Sequence, residues 1–367
     1  MSSAARVALP PEWAPQSAVM LTWPHDGTAW APWMHRIEPA FDRLALALSD
    51  LVRVLVVARD PTHATVLHDR LARMGLDGAR LLLGIAPSDD VWVRDHGPVT
   101  VLRDGRAVLL DFRFNAWGGK YAWERDARVC ELLHREGCFG STPMEHLPLV
   151  VEGGALDTDG AGTLLARESS LVSRGRNPGL DRDAMARRLA PLLGIRRFLW
   201  LEHGYIDGDD TDGHIDTLAR FAGPGTIVYQ ADGGGPDAES RALRAMAAEL
   251  ANMRRSDGAP YELIPLPRAA RLEGPGGKVL PAGYANFLVC NGAVLVPTYG
   301  DDADTVAVRR LQQAFPGYRM IPLDCRDLVL EHGSLHCATM QLPLGVDLPG
   351  AVARAQGHRG FSRFEEE

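Results

Sequence analysis

The sequence has 367 residues, of which 46% are hydrophobic and 23% charged, a composition that excludes the disordered, collagen-like and coiled-coil classes. The net charge of -8 argues against a nucleic-acid partner, which would need a basic surface, and is compatible with a small cationic substrate. No apolar run approaches the roughly 20 residues that span a bilayer, and the N-terminus does not look like a signal peptide, so we expect a cytoplasmic protein with no membrane partner.

Short apolar segments alternate with helical patterns along the chain, which predicts an α/β protein. In chain order we predict strands over residues 18–22, 52–57, 107–112 and 226–229, and helices over residues 38–50, 126–135, 181–193, 240–252 and 305–315. Two glycine-containing stretches, residues 231–237 and 271–283, are predicted to be surface loops. The polar tail from Ala355 is predicted to be frayed.

Five segments repeat one plan, in which a polar residue is followed by a glycine-containing turn and an apolar strand. Their leading polar residues are Asp95, Glu152, His214, Asn286 and Cys337. Hairpins repeated at such spacing indicate stacked modules. If the modules close into a ring, their polar residues can converge at its axis and form one site. The alternative is five unrelated hairpins.

The residues that could carry chemistry are a thiol, an imidazole and three carboxylates: Cys337, His214, Asp95, Glu152 and Asp216. A Cys/His pair is typical of a covalent nucleophile with its acid–base partner. The sequence lacks a Walker loop, a dinucleotide fingerprint and a GxSxG elbow. Each residue alone also has a structural interpretation: an inert buried cysteine, a core histidine, a partner for Arg94 or a solvated acid in a turn.

The charge of these candidates indicates the substrate class. A ring of acids would oppose the negative charge that develops during acyl transfer. It suits a guanidinium, which is planar and cationic and donates paired N–H groups to carboxylates. His214 and Asp216 are two residues apart and would share one face of a strand, whereas His336 would point away from Cys337 and is therefore not assigned as the base.

Six runs of the chain, between about Pro10 and Pro343, carry a resemblance to a known family: DDVWVRDHGP, FNAWGGKY, EGGALDTDGAGTLL, GDDTDGHIDTLARF, YANFLVCNGAVLVPTYGD and LHCATMQLP. They resemble the agmatine deiminases, or agmatine iminohydrolases, of the guanidine-modifying superfamily that includes bacterial peptidylarginine deiminases. The resemblance implies a five-module α/β propeller with pseudo-fivefold symmetry and an active site on its central axis. It also implies one catalytic domain over residues 1–367, with 355–367 as a flexible tail, and a homodimer or larger homo-oligomer.

The resemblance assigns a role to each matched residue. The assigned residues are the nucleophile Cys337, the acid–base histidine His214, the catalytic carboxylate Glu152, the guanidinium-binding acids Asp95 and Asp216, and Trp92 and Asp210 near the far end of the substrate. The implied reaction hydrolyses agmatine to N-carbamoylputrescine and ammonia through a covalent amidino-cysteine. It needs no metal and no organic cofactor, and its only implied partner is a small guanidino substrate.

The chain departs from the family pattern at two places. EHGS at residues 331–334 stands where the family usually has GGN, so that His332 and Ser334 are changed, and ESSLVSRGRNP at residues 168–178 stands for ECLLNxNRNP. Both departures concern the outer end of the substrate, where Arg174 or Arg176 could supply a cation for the carboxylate of arginine. The alternatives are deimination of arginine, peptidyl arginine or an aminopropyl-agmatine-like compound, amidino transfer to an amine, and non-catalytic binding of cationic metabolites.

Overall fold

The computed structural model describes residues 6–349. Its strands are β1 (Val7–Ala8), β2 (Gln16–Thr22), β3 (Arg53–Ala58), β4 (Leu81–Ile85), β5 (Val99–Arg103), β6 (Arg106–Arg113), β7 (Met144–Val150), β8 (Asp157–Thr158), β9 (Thr163–Arg167), β10 (Arg197–Leu201), β11 (Ala219–Gly223), β12 (Thr226–Gln230), β13 (Glu262–Leu266), β14 (Leu272–Glu273), β15 (Val279–Leu280), β16 (Leu288–Cys290), β17 (Ala293–Thr298), β18 (Arg319–Asp324) and β19 (Met340–Pro343).

The α-helices are α1 (Met34–Ser49), α2 (Pro61–Arg73), α3 (Val93–His96), α4 (Ala116–Gly119), α5 (Val129–Arg135), α6 (Glu168–Leu171), α7 (Arg182–Leu193), α8 (Ile215–Leu218), α9 (Ala238–Asn252) and α10 (Ala303–Ala314). Single 3-10 turns lie at Ala31–Trp33, Asp126–Arg128, Gly153–Ala155, Pro275–Gly277 and Val329–Glu331. The predicted strands and helices are confirmed, with ends moved by a few residues, and the helix predicted over 126–135 begins with the 3-10 turn.

Five sheets of this α/β fold share one plan, an antiparallel pair of strands extended by a parallel strand. Their strand orders are β5-β6-β7 with β1 added beside β5, β8-β9-β10, β11-β12-β13, β16-β17-β18 and β19-β2-β3-β4. Four of the predicted hairpins are therefore confirmed. The fifth is not a local hairpin, because β19 pairs with β2 from the other end of the chain. Within residues 6–349 no sheet closes on itself.

Helix α7 illustrates how the sequence builds the layer that covers the sheets. The side chain of Asp181 accepts a hydrogen bond from the backbone N–H of Ala184 at 2.7 Å, which satisfies a donor at the helix start. Met185, Leu189 and Leu193 follow at intervals of four residues and are fully buried. They form one hydrophobic cluster with residues of β5, β6 and β9, so the apolar stripe fixes the helix against the sheets.

The polar residue that opens each module lies in a tight turn, not on a strand. Asp95 lies within α3, Glu152 precedes a 3-10 turn, and His214 caps α8, which contains Asp216. Cys337 lies in a turn before β19. The expectations that His214 and Asp216 share a strand face, and that His336 points away from the site, are therefore wrong. In a turn, neighbouring residues are not sent to opposite faces, so both can contact one centre.

The two predicted loops differ in outcome. Residues 231–237 form a loop as expected. Residues 271–283 contain the small hairpin of β14 and β15, in which Leu272 pairs with Leu280. Its turn is possible because Gly276 and Gly277 adopt φ values of 72° and 75°, which glycine tolerates without steric cost. The predicted tail from Ala355 lies outside the described residues. No helix over residues 6–349 is long and apolar enough to cross a membrane.

Candidate active site

Turns from three modules meet at the floor of a cleft of about 520 Å³. The residues lining the cleft are Ala29, Asp90, Trp92, Asp95, Trp117, Tyr121, Asp209, Asp210, Thr211, Thr217, Glu331, His332, Gly333 and Cys337. The thiol of Cys337 and the carboxylate of Asp95 belong to this lining, and His214, Glu152 and Asp216 lie directly behind them. The five residues that the motifs single out are therefore brought together.

Cys337 is 5% exposed and is held by polar neighbours. The side-chain amide of Asn286 donates to its Sγ at 3.2 Å, and the thiol donates to Asp216 Oδ2 at 3.7 Å. Burial raises the pKa of this thiol well above its ordinary value, and the carboxylates of Asp216 and Asp95 raise it further. The resting residue is therefore a neutral thiol, and an additional positive charge is needed to ionise it.

His214 is completely buried between two carboxylates. Its Nδ1 lies 3.5 Å from Asp95 Oδ1 and its Nε2 lies 3.6 Å from Glu152 Oε2, yet neither nitrogen makes a hydrogen bond among the described residues. Burial by itself lowers the pKa of His214, but Asp95, Glu152 and Asp216 outweigh it and raise the pKa to about 9. The ring is therefore an imidazolium at neutral pH.

Glu152 is held by a buried arginine. Nε of Arg176 donates to both carboxylate oxygens of Glu152 at 2.8 Å, and its two other nitrogens donate to Asp212 Oδ2 at 2.7 Å and to the carbonyl of Thr211 at 2.8 Å. The Arg176 guanidinium is thus committed to Glu152 and its neighbours and does not line the cleft. The expectation that Arg176 could reach the outer end of the substrate is wrong.

The two acids expected to bind the guanidinium have different environments. Asp95 accepts from Trp117 Nε1 at 2.9 Å and from the backbone N–H of Gly154 at 3.0 Å, and its burial raises its pKa to about 6. Burial also acts to raise the pKa of Asp216, but the hydrogen bond and charge of His336 prevail and lower it. Oδ1 of Asp216 is buried without a partner among the described residues. This oxygen is therefore open to a hydrogen-bond donor.

Gly154 explains why the second module carries two glycines after its acid. A Cβ atom on Gly154 would lie 2.6 Å from His214 Nδ1, 2.9 Å from Asp95 Oδ1 and 3.0 Å from Asp216 Oδ2. These distances are below normal van der Waals contact, so only glycine lets the backbone pass between the histidine and the two acids.

The outer end of the cleft holds the two remaining predicted residues. Trp92 packs so closely on Gly333 that a Cβ at that position would lie 2.4 Å from the indole ring. Asp210 accepts from the hydroxyl of Tyr121 at 2.8 Å. Both Trp92 and Asp210 line the cleft, together with the acids Asp90 and Glu331. The far end of the cleft is therefore acidic and partly aromatic.

His332, which stands at a departure from the family pattern, forms one edge of the outer end. Its backbone has φ 70°, a left-handed conformation that favours glycine. Nδ1 contacts the carbonyl of Gly208 at 2.8 Å, and Nζ of Lys278 donates to Nε2 at 2.7 Å. The ring is therefore held by two neighbours, and Lys278 contacts the cleft only through it.

Sequence reasoning missed three residues that contact the site. Asn286 accepts from the backbone N–H groups of His336 and Cys337 at 2.8 and 3.3 Å, so it fixes the turn as well as the thiol. Its place among the five leading polar residues was a usable signal. Trp117 lies in the recognised FNAWGGKY run and has φ 54°, an uncommon conformation for a side chain of this size. His336 was set aside because a strand was expected there.

The side chain of Arg94 points away from the cleft as expected, but it lies in a helical turn and not on the expected strand. It was expected to point away from Asp95 by strand alternation, yet both residues lie in the single turn α3. Its guanidinium does point away from the cleft, donating to the side chain of Gln341 and, at 3.4 Å, to the carbonyl of His336. Among residues 6–349 no group of three or more His, Cys, Asp or Glu side chains is arranged to hold a metal ion.

The fold and this centre of a thiol, an imidazolium and acids define a class of protein that acts on cationic guanidine-type groups. The chain belongs to the Porphyromonas-type peptidyl-arginine deiminase family, whose sequence model matches residues 8–343. An agmatine deiminase of Stutzerimonas stutzeri is 32% identical over 360 residues, which cover 91% of this chain and 95% of that protein.

Two solved structures are similar over almost the whole chain. A candidate arginine deiminase from Porphyromonas gingivalis is 47% identical with a TM-score of 0.85, covering 92% of this chain and 99% of that one. A cysteine-to-serine variant of the agmatine deiminase of C. jejuni, with substrate bound, is 30% identical with a TM-score of 0.86, covering 94% and 98%. The mixed α/β fold is thereby confirmed.

Proposed function

We propose that this protein hydrolyses agmatine to N-carbamoylputrescine and ammonia. The observation that carries the proposal is the meeting of the Cys337 thiol, the unpaired nitrogens of His214 and the unpaired oxygen of Asp216 at the end of an acidic cleft. Buried polar atoms without partners are rare in proteins, so this group implies a ligand that donates hydrogen bonds and carries positive charge. The agmatine deiminases of S. stutzeri and C. jejuni support the same substrate.

The guanidinium binds between Asp95 and Asp216 in this proposal. Each carboxylate accepts N–H groups of the planar cation, in the charge-assisted geometry that such pairs favour. The central carbon then faces the sulfur of Cys337. The bound cation also offsets the two carboxylates that raise the pKa of the thiol, so substrate binding releases the thiol proton to solvent and leaves a thiolate.

The first half of the reaction forms a bond between sulfur and the guanidinium carbon. His214, which is an imidazolium at rest, gives its proton to the departing nitrogen. The carbon–nitrogen bond breaks, ammonia leaves, and an amidino group remains covalently bound to Cys337. Glu152, held by Arg176, lies 3.6 Å from the ring and keeps it in place through this transfer.

The second half consumes water. Neutral His214 takes a proton from the water that attacks the amidino carbon. The carbon–sulfur bond then breaks as the hydroxyl of the adduct becomes the carbonyl of the ureido product, and the proton it loses returns Cys337 to its resting thiol. The net reaction adds one water and releases one ammonia, with no oxidation or reduction.

The outer end of the cleft favours the ammonium of agmatine over the carboxylate of arginine. Burial, together with the charges of Glu331 and Asp210, raises the pKa of Asp90 to about 7, so a cation between these acids would relieve their repulsion. No arginine lines the cleft in the described part of the chain. We expect a preference for agmatine of at least about a hundredfold in kcat/KM, because a desolvated carboxylate facing like charge costs several kcal/mol.

The architecture proposed for this function is a ring of five modules with pseudo-fivefold symmetry around the site. The shared plan of the five sheets supports it, as does the position of all five leading polar residues around the site, Asp95, Glu152, His214, Asn286 and Cys337. We further propose one catalytic domain over residues 1–367, a homo-oligomeric assembly and a cytoplasmic location. The buried thiols of Cys130, Cys290, Cys325 and Cys337, none of which forms a disulfide, support a reducing compartment.

The test is a panel of guanidines with two readouts, ammonia release and the intact mass of acid-quenched enzyme. Agmatine should release ammonia and leave an amidino adduct on the wild-type protein. Cys337→Ser should lose both, whereas Cys290→Ser, which changes another buried thiol, should lose neither. Equal kcat/KM for agmatine and arginine would contradict the substrate proposal. Transfer of the amidino group to an added amine, with no release of ammonia, would favour an amidinotransferase.

A further inference from the structure

One acid of the N-terminal segment, Glu12, lies behind the active site. Glu12 is 324 residues from His336 in the sequence, yet its Oε1 lies 2.5 Å from His336 Nε2. Its Oε2 accepts from Gln341 Nε2 at 3.0 Å and forms an ion pair with Arg220, and Arg94 lies 3.8 Å from Oε1. Glu12 is therefore held by Gln341, Arg220 and Arg94 as well as by His336.

His336 connects this acid to the site. Its Nδ1 lies 2.8 Å from Asp216 Oδ2, and the same oxygen lies 3.7 Å from the sulfur of Cys337. His336 and the side chain of Asp216 are each only 1% exposed, so water does not compete for these contacts. Because Oδ2 is used by His336, the oxygen left for a ligand is Oδ1, which has no partner among the described residues.

We propose that Glu12 is a positioning residue for the reaction, acting through His336 to orient Asp216. The inference rests on the proposed deimination, and it concerns a contact chain of three side chains, Glu12 to His336 to Asp216. An imidazole that meets a carboxylate at each nitrogen can donate to both only as a cation. Glu12 therefore favours the protonated ring, against the burial and the two arginines that lower the pKa of His336.

Several charges surround this chain, and their effects on Asp216 oppose each other. The groups that face Asp216 or His336 are Glu12 from the N-terminal segment, Arg94 and Asp95 from α3, His214 before α8, Arg220 from β11, and Cys337. Burial, Arg220 and Arg94 lower the pKa of His336 overall, and the carboxylates of Glu12 and Asp216 oppose this only in part. Burial acts to raise the pKa of Asp216, and the contact with His336 lowers it overall.

Removing the charge of Glu12 should therefore loosen the hold on Asp216. In Glu12→Gln the ring loses its ionic acceptor at Nε2, so its contact through Nδ1 with Asp216 Oδ2 is no longer fixed. Asp216 binds the guanidinium, so kcat/KM for agmatine should fall at least about tenfold at pH 7.5, chiefly through a higher KM. A purely structural role would lower thermal stability and the amount of folded enzyme, and so kcat, without raising KM.

A second pair of variants tests the same chain without touching Glu12. His336→Asn places an amide donor near the position of Nδ1, facing Asp216, while His336→Gln places it near the position of Nε2, facing Glu12. We expect Asn to retain at least about tenfold more activity than Gln. Glu145→Gln, which removes a charge from a half-exposed ion pair with Arg103, is the matched control and should leave kcat and KM unchanged.

The assay measures kcat and KM for agmatine separately at pH 7.5, and the thermal unfolding of each variant in the same buffer. Wild-type enzyme that releases no ammonia from agmatine would contradict the proposed function, and the positioning role would then be judged by how tightly each variant binds a cationic amidine that alkylates Cys337. An active wild type with an unchanged KM in Glu12→Gln, or equal activity of the two His336 variants, would overturn the positioning role. If Glu12→Gln does not fold, the His336 pair decides.

Discussion

Charge selection at Cys337 can be tested with two reagents of almost the same shape. 2-Chloroacetamidine is a cation and 2-chloroacetamide is neutral, and both alkylate a thiolate. The thiolate of Cys337 would lie 3.7 Å from Asp216 Oδ2. At an effective dielectric constant of about 20, that contact destabilises the thiolate by about 4.5 kcal/mol. The neutral reagent leaves this penalty in place.

The cationic reagent lowers the cost of ionising the Cys337 thiol because it occupies the place of the guanidinium. An amidinium about 4 Å from the sulfur contributes roughly 4 kcal/mol of opposite sign at the same dielectric constant, which corresponds to about a thousandfold more thiolate. We therefore expect 2-chloroacetamidine to alkylate Cys337 at least about a hundredfold faster at pH 7.5, after correction for the rates of both reagents with a small free thiol.

Mass spectrometry of tryptic peptides measures the site of alkylation and its rate. Cys290 and Cys325 serve as internal controls, because burial raises the pKa of both thiols to about 12 and neither of them lines the cleft. Cys337→Ser should abolish the fast phase. Equal rates for the two reagents would show that the resting thiol is already ionised, which would refute the argument that the substrate supplies the charge.

Three other changes have expected outcomes. Asp95→Asn and Asp216→Asn should each lower kcat/KM for agmatine more than about 30-fold, equivalent to about 2 kcal/mol, and steady-state kinetics near wild type would show that these acids do not hold the cation. Arg176→Met removes the hydrogen-bonded partner of buried Glu152 and leaves only His214 near it, so urea unfolding should show a loss of about 3–5 kcal/mol; a loss below about 1 kcal/mol would contradict the buried pair. His332→Gly removes a side chain from φ 70° and should raise the free energy of unfolding by up to about 1 kcal/mol, whereas a clear decrease would mean that its contacts with Lys278 and Gly208 outweigh the strain.

Most of the fold could be predicted from local sequence patterns. Hairpins and amphipathic helices were predictable because a period of two or 3.6 residues is written in a short stretch of sequence, as in α7, where buried residues recur every four positions. The module repeat also predicted which polar residues meet. The turn that carries each polar residue was mistaken for a strand, because a single helical turn of four residues has too few positions to show a period.

Contacts between distant segments were not predictable from one sequence. Nothing near Glu12 signals that it meets His336, and nothing near Arg176 signals that it pairs with Glu152. Arg176 was even considered as a ligand for the outer end of the substrate. A side chain of that length can serve either end of a site, and only the packing of the surrounding backbone decides which carboxylate it reaches.

The acids of the centre fall into two groups, those that pair with a buried arginine and those that do not. Glu152 is neutralised by Arg176 and Glu12 by Arg220, so neither needs a ligand to be stable. Asp95 and Asp216 have no arginine within ion-pairing distance among the described residues, and the imidazolium of His214 lies between them and Glu152. His214 is shared by several carboxylates, and His336 is shared by Asp216 and Glu12, so the floor of the cleft is still short of positive charge, and the added charge must lie where the thiol can reach it. A guanidinium meets both conditions, whereas a neutral amide or ester would leave Asp95 and Asp216 unbalanced and the thiol of Cys337 protonated.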